Sequence, residues 1–308
     1  MRLGFFGTPE IASYCLNELA ALYEICFAVT SVDKPVKRSG TPMPSPVKKL
    51  ALSKNIPVIQ PENLNDPEFL NEIKKHRADI FVVVAYGKYI PKEVWENPRL
   101  KSINLHPSLL PKYRGAAPVQ WALINGETET GVTIQLINEK FDAGDIVVQK
   151  TVPVPENMTA AELCEAVLPP GCAMLCEAIE LLSSGKAQPV RQNESEATYC
   201  GKINRDTARI NWASSPEKIH NLVRALNPKP AAWCVFRGAG IRIWKTCRFR
   251  EEAGLKPGQI GVYQKKRLIA GSGAGAIEIL HIQPDNKKIM DGLSFINGYR
   301  LKQNEYFE

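Results

Sequence analysis

The chain has 308 residues, 44% of them hydrophobic, 23% charged and 8% aromatic. These proportions exclude collagen-like and wholly disordered chains, and the length suits two domains of roughly 150 residues each. Charge is unevenly divided: residues 1–188 carry 19 Lys and Arg against 21 Asp and Glu, whereas residues 189–308 carry 20 against 11. A positive surplus confined to one region attracts a polyanion, although from charge alone a solvated basic surface accounts for it equally well.

No apolar run nears the roughly 20 residues of a bilayer span. The opening Met1–Gly7 is too short for a signal peptide and lacks its cleavage pattern. The expectation is a cytoplasmic protein with no membrane partner. Eight cysteines are scattered without a Cys-x-x-Cys pair, the closest spacing being Cys172 to Cys176. Such cysteines act as small buried hydrophobes in a reducing compartment, and with only four histidines no metal site is expected.

In chain order, Leu3–Phe6 reads as a strand and Ile11–Ala21 as a helix opened by Thr8-Pro9-Glu10. Glu24–Thr30, Asp79–Val84 and Leu100–Leu105 read as strands, with helices over 46–54, 67–77 and 118–125. The alternation predicts an α/β fold built on an open, parallel, Rossmann-like sheet. Gly131–Asn138 and Asp145–Val154 follow as strands, then a helix from Thr159 to Ser184, broken or bent at Pro169-Pro170. Residues 189–205 read as a linker between a catalytic domain over 1–188 and a second domain over 206–308. There a helix over Pro216–Leu226 precedes five short strands at 232–236, 240–247, 258–263, 267–271 and 275–282. That pattern suits a small, basic, OB-like β-barrel.

The Gly4–Pro9 turn lacks the G-x-G-x-x-G spacing of a dinucleotide site, which argues against hydride transfer. The segment Asn104-Leu105-His106-Pro107-Ser108 is more telling. Strand alternation points Asn104 and His106 to one side at a strand's carboxyl end, where open α/β sheets bind ligands. An amide beside an imidazole can hold an oxyanion and move a proton. A lone histidine is more often structural, but Asp142, in a glycine-bearing loop, is a candidate carboxylate to orient it. No Gly-x-Ser-x-Gly nucleophile accompanies them, so the expected chemistry is attack by an external nucleophile. The Pro-rich loop 33–46 carries Lys34, Lys37 and Arg38, a basic patch in a slightly acidic half of the chain. It reads equally as a solvated loop or as a contact for phosphates.

Taken together, Gly7-Thr8-Pro9, Met43–Lys48, Ala85-Tyr86-Gly87, Asn104–Pro111, Tyr113–Pro118, Phe141–Asp145, Ala208–Trp212 and Arg224–Pro228 resemble the methionyl-tRNA formyltransferases over essentially the whole chain. The resemblance implies transfer of a formyl group from 10-formyltetrahydrofolate, without a metal, to the α-amino group of methionine on initiator methionyl-tRNA. It implies catalytic roles for Asn104, His106 and Asp142, and folate contact by Ser108, Leu109, Leu110 and Pro111, with Val84–Ile90 lining the pteridine pocket. Lys34, Lys37 and Arg38 would reach the tRNA, Arg38 as the key arginine. A monomer that binds no DNA is the family expectation. The rival class is another folate-dependent formyltransferase acting on a small amine, such as an amino sugar or glycinamide nucleotide. An RNA-binding protein without catalysis on the same scaffold is disfavoured by the intact Asn104, His106 and Asp142.

Overall fold

The computed structural model describes residues 1–35 and 42–308. The chain forms two compact units, each assembled from three segments. The first comprises Met1–Ala116, Thr130–Val152 and Cys164–Cys200; the second comprises Ala117–Glu129, Pro153–Leu163 and Gly201–Glu308. The contiguous division expected at residues 188 and 206 is therefore not the one seen. Two excursions, 117–129 and 153–163, join the second unit, and much of the expected linker belongs to the first.

Through the first 116 residues the elements are β1 (Arg2–Gly7), α1 (Glu10–Leu22), β2 (Glu24–Val29), β3 (Lys34–Pro35), β4 (Pro42–Met43), α2 (Pro46–Ser53), β5 (Val58–Ile59), α3 (Pro67–Lys75), β6 (Ile80–Val84), α4 (Lys92–Trp95), β7 (Ser102–His106) and β8 (Arg114–Gly115). They are followed by α5 (Pro118–Ile124), β9 (Glu129–Leu136), β10 (Ile146–Pro153), α6 (Ala160–Ser183) and β11 (Tyr199–Cys200). The main sheet has seven strands in the order β10-β9-β7-β6-β1-β2-β5. Strands β7, β6, β1, β2 and β5 run parallel, and β9 joins β7 antiparallel. β6 is buried throughout, as its run of β-branched residues predicts for a strand covered on both faces. One side of the sheet is filled by Phe6, Phe27 and Phe81 with Ile73 and Trp95, the three phenylalanines packing edge-on or tilted at 5.2–6.1 Å. Ser45 and Asp66 cap α2 and α3 by accepting from the N–H of Lys48 and Glu68, each ahead of a proline in the first turn.

Helix α6 corrects two expectations. It continues through Pro169 and Pro170 without a break. Proline removes the amide that would bond the carbonyl four residues earlier, and here that residue for Pro169 is Glu165, on the exposed side. The helix is also long and apolar enough, at a mean hydropathy of 1.4, to cross a membrane by length and composition. Yet Val167, Met174, Leu175, Ala178 and Ile179 are buried while Glu165, Glu177 and Glu180 are exposed, the one-sided pattern of a helix packed on a core.

The second unit continues with α7 (Pro216–Ala225), β12 (Ala232–Phe236), β13 (Ala239–Arg248), β14 (Ile260–Tyr263), β15 (Arg267–Ser272), β16 (Gly275–Pro284), β17 (Met290–Asp291) and α8 (Gly292–Tyr299). Six strands form an antiparallel sheet in the order β12-β13-β16-β15-β14, with β17 on β16. The five expected strands are present; β17 and α8 are additions. The residues 305–308 bond to both edges: Ile260 N–H to Glu305 O and Phe307 N–H to Gly258 O on one side, and a reciprocal pair between Glu308 and Val235 on the other. The core collects Trp212, Phe236, Phe295 and Phe307 with aliphatic residues of β13, β15 and β16.

Candidate active site

The register between β7 and β9 builds the site. Asn104 stands opposite Gln135 and His106 opposite Thr133, so all four side chains share one face at the carboxyl end of β7. Beyond β9 the chain turns through Phe141-Asp142-Ala143-Gly144, and Asp142 takes a left-handed backbone conformation (φ 51°). Gly144 makes that turn possible, because a Cβ there would lie 1.6 Å from the carbonyl oxygen of Leu136.

The Asp142 carboxylate is the hub. Oδ2 accepts the backbone N–H of Gly115 at 2.9 Å. Oδ1 accepts from Gln135 Nε2 at 3.1 Å and from Asn104 Nδ2 at 3.4 Å, and it faces His106 Nδ1 at 3.5 Å. The other ring nitrogen of His106, Nε2, lies 2.9 Å from the carbonyl oxygen of Tyr113. Because a carbonyl only accepts, that contact assigns the hydrogen to Nε2 and leaves Nδ1 as the ring atom that faces Asp142. His106 is 4% exposed, whereas Asn104 and Asp142 are only half-buried. The structure thus brings together the three residues singled out in the sequence and adds Gln135, Gly115 and the Tyr113 carbonyl.

The expected folate segment has a more divided character. Ser108 is fully buried; its hydroxyl donates to Lys112 O at 2.7 Å and its carbonyl accepts from Thr133 Oγ at 2.7 Å. Leu110 is buried too, its N–H donating to Thr133 Oγ and its carbonyl accepting from Gln149. Ser108 and Leu110 therefore hold the turn, and Leu109 and Pro111 are the half-buried pair. In 84–90, Ala85 and Gly87 are left-handed, and burial pushes the Tyr86 hydroxyl up to about 12. Tyr89 and Phe141, both exposed, meet edge to face at 5.6 Å, which places 84–90 beside the Asp142 turn. Of the basic loop, Lys37 and Arg38 lie outside the described residues, and Lys34 is placed by its backbone alone, paired with Met43. Among the described residues no group of three or more His, Cys, Asp or Glu side chains could hold a metal.

Residues 192–200, within the segment expected as a linker, are part of this site's support. β11 pairs parallel with β8, Tyr199 opposite Arg114 and Cys200 opposite Gly115. Gly115 is required there, since a Cβ would meet the Cys200 carbonyl oxygen at 2.3 Å. Arg114 is 1% exposed and binds Glu194 through two nitrogens at 2.9 and 3.0 Å. The guanidinium holds the Glu194 carboxyl below the usual carboxylate range. No periodicity marks these polar residues in the sequence, and Gln135 was visible only as a polar residue in an apolar strand.

An open, mostly parallel sheet with an Asn–His–Asp cluster at the end of β7 is followed by an antiparallel second unit, and both parts of the chain match formyl transferases. Residues 3–179 match the family model described as "Formyl transferase", and residues 202–300 match "Formyl transferase, C-terminal domain". The chain is 40% identical over 314 residues to a methionyl-tRNA formyltransferase of Leptospira interrogans, covering 100% of both. It is 40% identical over 303 residues to that of Clostridioides difficile, covering 98% of each. On these grounds the chain belongs to the methionyl-tRNA formyltransferase family. Among solved structures, a sugar 3N-formyl transferase, WlaRD, crystallised in the presence of dTDP and 5-N-formyl-THF, has the same fold. Its TM-score is 0.68 at 23% identity, covering 94% of this chain and 99% of that one.

Proposed function

We propose that the chain formylates the α-amino group of methionine on initiator tRNA, using 10-formyltetrahydrofolate as donor. The observation that carries the chemistry is the Asp142 carboxylate gathering Asn104, His106 and Gln135 on one oxygen while the Gly115 amide holds the other. The amine nucleophile arrives with the tRNA, so none is needed from the protein.

In the first step the amine nitrogen bonds to the formyl carbon, and the carbonyl π pair moves onto oxygen. Asn104 Nδ2 carries a second hydrogen beyond the one directed at Asp142, and that hydrogen is the donor for the oxyanion. The ammonium formed on attack passes a proton to Asp142, directly or through one water. His106 Nδ1 faces the same carboxylate oxygen and can take the proton on. Collapse re-forms the carbonyl and breaks the bond to N10 of the folate, which takes up the proton as it leaves. Both ring nitrogens of His106 have protein partners here, so donation to the oxyanion would require the ring to exchange one of them. Its supported roles are orientation and proton storage. Lys34, Lys37 and Arg38 reach the acceptor end of the tRNA in this reading, and the positive surplus after residue 189 grips backbone phosphates without reading sequence. Such a reaction belongs to the cytoplasm, where charged initiator tRNA is found, and needs neither DNA nor membrane nor a second copy of the chain.

The test is formyl transfer from 10-formyltetrahydrofolate to methionine-charged initiator tRNA, to charged elongator tRNA and to an amino sugar nucleotide. Selective product on the initiator is expected. Formylation of the sugar with indifference to tRNA would keep the site chemistry and overturn the acceptor. Arg38→Ala is expected to lose activity on initiator tRNA selectively.

A further inference from the structure

A chain of side-chain amides leads from Arg114 to Asp142, and each amide in it has only one workable orientation. The Arg114 guanidinium has no acceptor atom. Its Nε and Nη2 lie 3.0 and 2.8 Å from one atom of Gln192, which must therefore be the oxygen. The Gln192 nitrogen then points away from Arg114, onto the carbonyl oxygens of Gly144 at 2.7 Å and Asp142 at 2.9 Å and onto Gln135 Oε1 at 3.2 Å. Gln135 Oε1 also accepts the Gly144 N–H at 3.2 Å. With its oxygen so occupied, Gln135 turns its nitrogen to Asp142 Oδ1 at 3.1 Å. Flipping either amide would set an N–H against an N–H or an oxygen against an oxygen in a buried setting, where an unmade hydrogen bond costs about 1–3 kcal/mol. Gln135 and Gln192 are 2% and 4% exposed. At the far end Arg114 is itself fixed by Glu194 and by the Tyr199 hydroxyl at 3.2 Å.

We propose that Gln135 is a positioning residue for formyl transfer, locked by Gln192 and Arg114 so that its amide hydrogen holds Asp142 Oδ1 in place for Asn104, His106 and the reacting amine. The proposal rests on the reading of Asp142 as catalytic. Two glutamines that the sequence leaves unremarked thereby connect the buried Arg114 guanidinium, paired with the exposed Glu194, to the reacting carboxylate. Their contribution lies in geometry, because a carboxylate free to rotate presents the wrong oxygen to the substrate.

Measuring kcat and KM for formyl transfer in two backgrounds tests this. Gln135→Leu removes the amide without adding a buried charge and is expected to lower kcat by about 30- to 100-fold, with KM for both substrates within about threefold. In the Asp142→Asn background, followed under single-turnover conditions, the same substitution is expected to change the rate less than about twofold, as a residue acting only through Asp142 must. An equal loss in both backgrounds would assign Gln135 a purely structural role and overturn the proposal, as would an unchanged kcat in Gln135→Leu. If Gln135→Leu fails to fold, Arg114→Lys replaces it. That variant keeps the charge beside Glu194 but loses the paired donation to Gln192 Oε1, and the same dependence on Asp142 is expected. If Asp142→Asn alone leaves kcat intact, the reading of the site fails; if Asp142→Asn is crippled while Gln135→Leu is fully active, only the positioning role fails.

Discussion

His106 and Asp142, 36 residues apart in sequence, face each other at 3.5 Å from Nδ1 to Oδ1, while the opposite ring nitrogen is tied to the Tyr113 carbonyl at 2.9 Å. The imidazole thus has its orientation set at both ends. Its tautomer follows from the carbonyl, and its other nitrogen is left facing one carboxylate oxygen.

Replacing His106 by Ala removes the imidazole that faces Asp142, which in the proposed mechanism is the carboxylate's proton partner and stands apart from the residues proposed to contact tRNA. Formyl transfer should fall by about 10²- to 10⁴-fold, the usual span for a general acid–base group. Binding of uncharged tRNA should be nearly unchanged. A filter-binding titration beside single-turnover kinetics separates the two, and a parallel loss of both would count against the division of labour proposed here.

Gly144→Ala tests the turn that presents Asp142. The added methyl would sit 1.6 Å from a backbone carbonyl oxygen on β9, and backbone cannot swing aside as a long side chain can. A stability loss of about 1–3 kcal/mol is expected from overpacking, together with a fall in kcat as the carboxylate is displaced. Denaturant unfolding and the transfer assay report these separately.

In the second unit, His220 is buried between Thr246 Oγ at 3.0 Å and the Glu156 carbonyl at 3.3 Å. Burial first, and then the nearby Arg224 and Arg248, push its pKa below the ordinary 6.5, outweighing the Glu156 carbonyl and carboxylate. With the folded value depressed, the unfolded chain binds the extra proton between the folded value and 6.5. The contribution of neutral His220 to stability is therefore complete above 6.5 and is lost as pH falls through that window. Urea unfolding between pH 7.5 and 5 should show this loss, and His220→Gln should flatten it.

The basic surface predicts a steep salt dependence. Arg242, Lys245, Arg248 and Arg250 occupy exposed positions on or just after β13. If that row meets phosphates, log affinity for tRNA should fall linearly with log salt, and Lys245→Ala or Arg250→Ala should each flatten the slope by about one. Unchanged slopes in both variants would move the phosphate contacts elsewhere. Truncation at residue 206 is a poor substitute for these variants, because 117–129 and 153–163 are built into the same unit.

By itself the sequence determined the strand–helix alternation, the parallel sheet and the short strands after residue 232. Periodicity and turn residues act over a few positions and survive as local pattern. It also carried Asn104, His106 and Asp142, since a polar pair on one face of an apolar strand and an Asp in a glycine turn are visible without coordinates. Three things were decided only by the folded chain. The boundary of the units follows packing, so 117–129 and 153–163 belong to the second unit although they lie between segments of the first in sequence. Pro169 and Pro170 sit inside a continuous helix because packing of one face outweighs the two missing hydrogen bonds. And the support of Asp142 depends on register: Gln135 reaches it because β9 pairs with β7 so that Asn104 stands opposite Gln135 and His106 opposite Thr133, whereas a one-residue slip would turn Gln135 to the other face. Gln192 reaches it because β11 returns to β8 from 85 residues away in sequence, Tyr199 beside Arg114. Hydrogen bonds between distant segments leave no periodic trace in a sequence, since each partner needs only to be polar and in place once the backbone has closed.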